Sequence, residues 1–201
     1  MRHLHLFDFD GTLTRHDSFT GFIRHVHGMK GLIRVLLQSS WAIILWKTGF
    51  RNNTYAKLHM FAAAFKGMDA EEFRNAGKTY ADKINRMVRP ETKASLNAAV
   101  RQNEEVAIVS ASLGDWIRPW AESQGVRTVL TTEAETGGNG RLTGRFSRPN
   151  CQCAEKARRI LEAYPELKSN RSEFFVTAYG DSDGDNEMLE LADEKIRVTH
   201  Q

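Results

Sequence analysis

Asp8-Phe-Asp-Gly-Thr-Leu-Thr14 closes an apolar run at the start of the chain. Carboxylates two residues apart on a strand point to the same face, and parallel sheets bind ligands beyond the carboxyl ends of their strands. A second acidic stretch, Gly180-Asp-Ser-Asp-Gly-Asp-Asn186, also follows an apolar run. Its hard oxygen donors suit Mg²⁺, which takes few carboxylates and keeps places for water and phosphate oxygens. A calcium loop is excluded, because counting from Asp181 puts Asn186 where such a loop needs Gly and Ala192 where it needs Glu. Ser110-Ala-Ser112 ends a third apolar run, where a hydroxyl and free backbone N–H groups can hold a phosphoryl group. The plainer role for Ser112 is to cap the next helix. Lys156, early in a helix opened by Asn150-Cys-Gln-Cys-Ala-Glu155, reads on its own as a surface lysine.

The elements that must position these groups alternate. Strands are expected at His3–Asp10, Val106–Val109, Val126–Leu130, Phe174–Tyr179 and Ile196–Val198. Helices are expected at Glu91–Asn103, Asp115–Ser123, Ala154–Tyr164 and Asp185–Ala192. This order points to an α/β fold, a Rossmann-like parallel sheet with helices on both faces. Glu135-Thr-Gly-Gly-Asn-Gly140 reads as a hairpin tip, since it lacks the Lys-Ser/Thr ending of a phosphate-cradling loop.

The segment between the first two strands is too long for one crossover helix. Apolar spacing predicts four helices there, broken near Gly28–Gly31, Gly49–Asn53 and Gly67–Met68, with Pro90 marking the return. The expected division is a core of residues 1–14 and 90–201 carrying an inserted helical domain over 15–89. Within it, Leu32–Trp46 is unusually apolar, with twelve uncharged residues from Val35 to Trp46. That is too short to span a bilayer. A buried bundle helix is the first reading, and a peripheral membrane contact is the alternative, given two Trp flanked by Arg34 and Lys47.

The chain has 201 residues, 41% of them apolar and 26% charged, which excludes global disorder. Residues 15–89 hold thirteen Lys or Arg against five Asp or Glu, whereas the rest holds fifteen against twenty. The basic excess suits an anionic partner, although solvated helix faces are the simpler reading, and no nucleic-acid partner is expected. Two Cys cannot build a disulfide framework, and the N-terminus lacks a secretory apolar run, so a cytoplasmic protein is expected. Zinc is not expected, since the C-x-C pair lacks a partner pair and no His pair has i, i+4 spacing.

Taken together, the four motifs resemble those of the haloacid dehalogenase superfamily: D-x-D-G-T, a Ser or Thr after strand two, a Lys, and an acidic G-D-x-x-x-D loop. The helical insertion after the first motif is similar to that of the phosphoserine-phosphatase-like subclass. So is the pattern Ser110-Ala-Ser, Thr143-Gly-Arg, Asn150-Cys, Lys156 and Gly180-Asp-Ser. One departure is Cys153, where relatives usually carry Gly. The resemblance implies a phosphatase that hydrolyses a phosphate monoester. Asp8 is then the nucleophile that forms an aspartyl-phosphate, and Asp10 the acid and base. Ser110, Ala111 and Lys156 would bind the phosphoryl group. Asp8, the Asp10 carbonyl and Asp181 would hold Mg²⁺, with Asp185 ordering that metal shell. An acid at position 10 also favours a phosphatase over a dehalogenase, which releases halide and needs no proton there.

Within the same resemblance, Asp17 takes the place of the acid that reads a substrate amino group. The expected substrate is phosphoserine-like. A phosphatidylglycerophosphate-type lipid phosphate is the alternative, suited to the basic, apolar insertion. A phosphotransferase of the same fold is a further enzyme reading. An aspartate-phosphorylated receiver module is the non-enzyme reading, weakened because strand two ends in Ser110 and strand three in Thr131-Thr132 rather than in Asp.

Overall fold

The computed structural model describes residues 1–199. The strands in chain order are β1 (Arg2–Phe7), β2 (Glu105–Leu113), β3 (Thr128–Thr132), the hairpin pair β4 (Ala134–Thr136) and β5 (Leu142–Phe146), β6 (Phe174–Gly180) and β7 (Glu194–Arg197). Five of them form one parallel sheet in the order β3-β2-β1-β6-β7. The chain winds outward from β1 to β3, then returns to lie on the other side of β1. Such a reversal of strand order opens a crevice at the carboxyl ends of the central strands. Residues 137–140 form the tip of the β4–β5 hairpin, as expected, while Glu135 and Thr136 of the expected tip belong to β4.

The helices are α1 (Ser18–Gln38), α2 (Ser40–Lys47), α3 (Asn53–Phe65), α4 (Ala70–Ile84), α5 (Pro90–Arg101), α6 (Gly114–Ser123), α7 (Ala154–Ala163), α8 (Glu166–Ser169) and α9 (Asn186–Glu190). Alternation along β1 sends Leu4 and Leu6 to one face, where α7, α8 and α9 cover them, and Phe7 to the other. Helix starts follow capping chemistry: Asp17, Asn52 and Asp69 each accept a backbone N–H of the first turn, and Pro90 opens α5.

The inserted helices depart from expectation in their breaks. Gly28 kinks α1 with φ of 68°, a conformation open to glycine. The apolar run 32–46 is not one buried helix. It is interrupted at Ser39, and Ile33, Leu37, Trp41 and Ile44 on either side of the break are exposed. The two connections to the insertion run side by side, with Arg15 N donating to Met87 O and Arg89 N to Leu13 O, both at 2.8 Å.

The apolar cluster on this face of the sheet is continuous with the insertion. Phe22 of α1 stacks on Trp116 of α6 at 4.4 Å and meets Phe65 and Phe73 at 5.4 and 5.3 Å. Phe9, beyond β1, packs edge-on against Trp120. Deleting a buried aromatic ring forfeits both its transfer energy and the contacts lining the cavity. Phe22→Ala is therefore expected to cost roughly 3–5 kcal/mol, with the chain still melting in one calorimetric transition. Two separated transitions would show that the inserted helices hold a core of their own.

Candidate active site

The carboxyl ends of β1 and β6 and the first turn of α7 bring three acids and one lysine together. Lys156 Nζ donates to Asp8 Oδ1 at 2.5 Å and to Asp185 Oδ1 at 2.6 Å. Asp8 and Lys156 are only 5% and 2% exposed. The other oxygen of Asp185 accepts from the backbone N–H groups of Asp181 and Ser182 at 3.2 and 3.0 Å and from the Ser182 hydroxyl. Asp181 Oδ1 accepts from Thr12 Oγ1 at 3.2 Å. Carboxylate oxygens of Asp8, Asp181 and Asp185 lie within 4.8 Å of one another.

Three carboxylates against one ammonium leave this buried cluster short of positive charge. Burial, reinforced by Asp185 and Asp181, pushes the Asp8 carboxyl up to about 8 against the pull of Lys156. Burial alone would also lift Asp185, but the Lys156 ammonium and the Ser182 donors hold it below the usual carboxylate range. Burial works against the charge on Lys156, and Asp8 and Asp185 outweigh it, so the ammonium is raised. The missing counter-charge and the all-oxygen donor set fit a divalent cation such as Mg²⁺.

Asp8 and Asp10 do not share one strand face, as their spacing led us to expect. The strand ends at Phe7, the chain turns, and each carboxylate reaches different partners. Asp10 Oδ1 accepts from Ser18 N at 2.7 Å, and Asp10 Oδ2 accepts from the Ser112 hydroxyl. Burial, with the charge of Asp17, raises the Asp10 carboxyl. Ser112 is likewise not a helix cap: it lies inside β2, and Leu113 precedes α6 without a capping bond. Ser110, 1% exposed, accepts from Ser112 N at 3.0 Å. The register Phe7↔Ile108 places Ser110 two residues past the partner of the last β1 residue, where the pairing of β2 with β3 becomes irregular. Asp17 stays outside this hydrogen-bonded group; it is exposed at the start of α1, where its carboxylate accepts from Thr20 N.

Lys57 of α3 is the residue that motif reading missed. It is buried, with Nζ donating to Ala111 O at 2.9 Å and to Ser112 Oγ at 3.3 Å. Burial lowers its ammonium, while Asp17, Asp10 and Asp8 pull it back up. The signal was present in the periodicity: Lys57 shares the phase of Met60 and Phe61, so a lysine stands where α3 buries its apolar face.

The family model for haloacid dehalogenase-like hydrolases matches residues 5–190. The chain belongs to that family. Over 191 residues the hydrolase is 30% identical to Protein CicA of Caulobacter vibrioides, covering 94% of this chain and 82% of the relative. A Bordetella pertussis Tohama I protein of unknown function shares the fold with a TM-score of 0.80 at 20% identity, over 98% of this chain and 90% of that one. A substrate-bound phosphoserine phosphatase complex does so with a TM-score of 0.69 at 19% identity, over 98% and 86%.

The hydrolase's departure at Cys153 has a backbone consequence. Cys153 sits at φ 51° and ψ −135°, ahead of α7, with its N–H donating to Gly184 O at 2.8 Å. Non-glycine residues in such regions store on the order of 1–3 kcal/mol, partly offset by the larger unfolded-state entropy of glycine. The side chain is exposed, so nothing is lost from the core by removing it. Cys153→Gly is expected to stabilise the fold by about 1 kcal/mol, read as a higher denaturant midpoint. An unchanged or lower midpoint would show that the turn carries no such strain.

Proposed function

We propose that the chain is a Mg²⁺-dependent phosphomonoesterase that forms an aspartyl-phosphate on Asp8. The observation that carries this reading is the separation of roles between two nearby carboxylates. Asp8 is gripped by an ammonium inside an acidic cluster, while Asp10 is oriented by a hydroxyl and a backbone N–H. Environments that differ this much let one carboxylate act as nucleophile and the other handle the proton.

In the first step an Asp8 oxygen attacks phosphorus, the bond from phosphorus to the ester oxygen breaks, and Asp10 gives its proton to the departing alcohol. In the second, Asp10 takes a proton from water as that water attacks phosphorus. The bond from phosphorus to Asp8 then breaks, releasing inorganic phosphate and restoring both carboxyl groups. Ser110, the Ala111 backbone and Lys156 bind the non-reacting phosphoryl oxygens as charge redistributes. Asp8, the Asp10 carbonyl and Asp181 would hold Mg²⁺, with Asp185 fixing the shell through Lys156 and the backbone. When bound, Mg²⁺ offsets the repulsion between phosphate and carboxylates.

The substrate in this reading is a small phosphorylated molecule. Asp17 and Lys57, opposite charges that both act on Asp10, suit an ester bearing an amine and an acid, as phosphoserine does. A phosphatidylglycerophosphate-type lipid phosphate is the second reading, favoured by the exposed apolar residues of α1 and α2. The unpaired thiols of Cys151 and Cys153 accord with work in a reducing cytoplasm.

Asp8→Asn is expected to lower phosphate release from p-nitrophenyl phosphate by on the order of 10³-fold or more, with near-UV circular dichroism unchanged. Activity within tenfold of the parent would contradict a nucleophilic Asp8. Chelation by EDTA is expected to stop turnover and added Mg²⁺ to restore it. Full activity in chelator, or rescue by Zn²⁺ alone, would count against the metal assignment.

A further inference from the structure

Exposed large apolar side chains are not scattered over this chain. Apart from Met1, all of them among the described residues fall between positions 29 and 50. On α1, beyond the Gly28 kink, Met29, Ile33 and Leu37 recur four residues apart and form one outward stripe, 50%, 50% and 69% exposed. Val35, on the other side of that helix, is buried, so the segment already has a core-facing side and the stripe is a second apolar face. On α2, which follows directly after Ser39, Trp41 and Ile44 are 48% and 59% exposed, and Phe50 stands out beyond its end. Burial of such residues against water is what a folded chain normally gains from them.

The charges around this face have one sign. Lys30, Arg34, Lys47 and Arg51 are exposed among the apolar residues, and no Asp or Glu occurs between Asp17 and Asp69. Apolar side chains interleaved with Lys and Arg, and a half-exposed Trp, are the composition of a helix that lies in a membrane interface. A second copy of the chain fits poorly, because a two-fold contact would set this basic face against itself. Insertion across the bilayer is excluded for these elements, since among the described residues no helix is long and apolar enough to cross.

We propose that the face formed by the second half of α1 and by α2 docks the protein on an anionic lipid surface, with the apolar stripe entering the headgroup boundary and the four basic residues meeting lipid phosphates. The face is tied to the catalytic centre through α3. Trp41 packs on the rings of Tyr55 and His59 at 5.7 and 4.6 Å, and Lys57 of the same helix reaches Ala111 and Ser112. Docking stands on this surface alone and not on the phosphatase reading.

The test is flotation of the full chain with vesicles of phosphatidylcholine alone or mixed with phosphatidylglycerol, read by bound protein rather than turnover. Binding to the anionic vesicles is expected to exceed binding to neutral ones by at least about tenfold and to weaken at high salt. Trp fluorescence should shift to the blue on binding, chiefly through Trp41, because Trp116 and Trp120 are already buried. Leu37→Asp or Ile44→Asp, at exposed positions, should reduce binding by on the order of tenfold, and K30E/R34E by at least as much. No binding to anionic vesicles at low salt would overturn the proposal. So would undiminished binding by both aspartate variants, or a concentration-dependent dimer that Leu37→Asp disperses. Since no outcome depends on catalysis, failure here leaves the phosphatase reading untouched.

Discussion

The buried contact of Lys156 with Asp8 and Asp185 is the interaction to which the rest of the architecture answers. Taking charged groups out of water costs several kcal/mol per ion, and mutual attraction repays that only when geometry is close and the remaining atoms are hydrogen-bonded. Here three separate parts of the chain must converge within hydrogen-bond reach: the end of β1, the loop after β6 and the first turn of α7. Asp185 meets the condition through both oxygens, one on Lys156 and one on the Asp181–Ser182 backbone. Gly11 lets the first two parts approach. Its φ is 91°, and a Cβ there would lie 2.3 Å from an Asp181 carboxylate oxygen. Such a cluster is a weak source of stability for a fold this size, which accords with the chemical role proposed for Asp8.

Around that cluster the sheet supplies direction and the loops supply chemistry. Asp8 and Asp181 sit just past the carboxyl ends of β1 and β6, and Ser110 lies in the last part of β2, around the crevice opened by the reversal of strand order. The loop ahead of α7 is fixed from two sides. Asn150 accepts from Thr132 at 2.8 Å, and Asn150 and Gln152 both donate to Thr54 of α3 at 3.0 and 2.7 Å. The register of Lys156 is therefore set partly by a helix of the insertion.

Much of this was legible in the chain. The D-x-D-G-T stretch, Lys156 and the acidic loop are local patterns, and strands of the parallel sheet read as apolar runs because both faces are covered. What escaped was what depends on packing across the insertion. Ser112 has the composition of a helix cap, and only the proximity of Asp10 turns its hydroxyl to another use. Lys57 was hidden because a lone lysine in an apolar phase looks like a solvated interruption until strand β2 arrives to accept its hydrogen bonds. The apolar run 32–46 misled in the opposite direction. Hydrophobicity there suggested a buried helix, yet the break at Ser39 and the small number of packing neighbours leave much of it facing outward.

The seam between the inserted helices and the sheet is of two chemical kinds, and the difference bears on how a substrate reaches a centre as enclosed as Asp8. Near α6 the seam is aromatic, with Phe22 stacked on Trp116, and parting it would expose large apolar area to water. Near the carboxyl ends of the strands it is polar, made by Lys57 with Ala111 and Ser112, Ser18 with Asp10, and Thr54 with Asn150 and Gln152. Each such bond exchanges for water at a net cost of only about 0.5–1.5 kcal/mol. An anionic substrate also offers Lys57 and Ser112 new partners as it enters. The physical path of least cost to Asp8 thus runs through the polar side of the seam, while the aromatic side keeps the insertion attached.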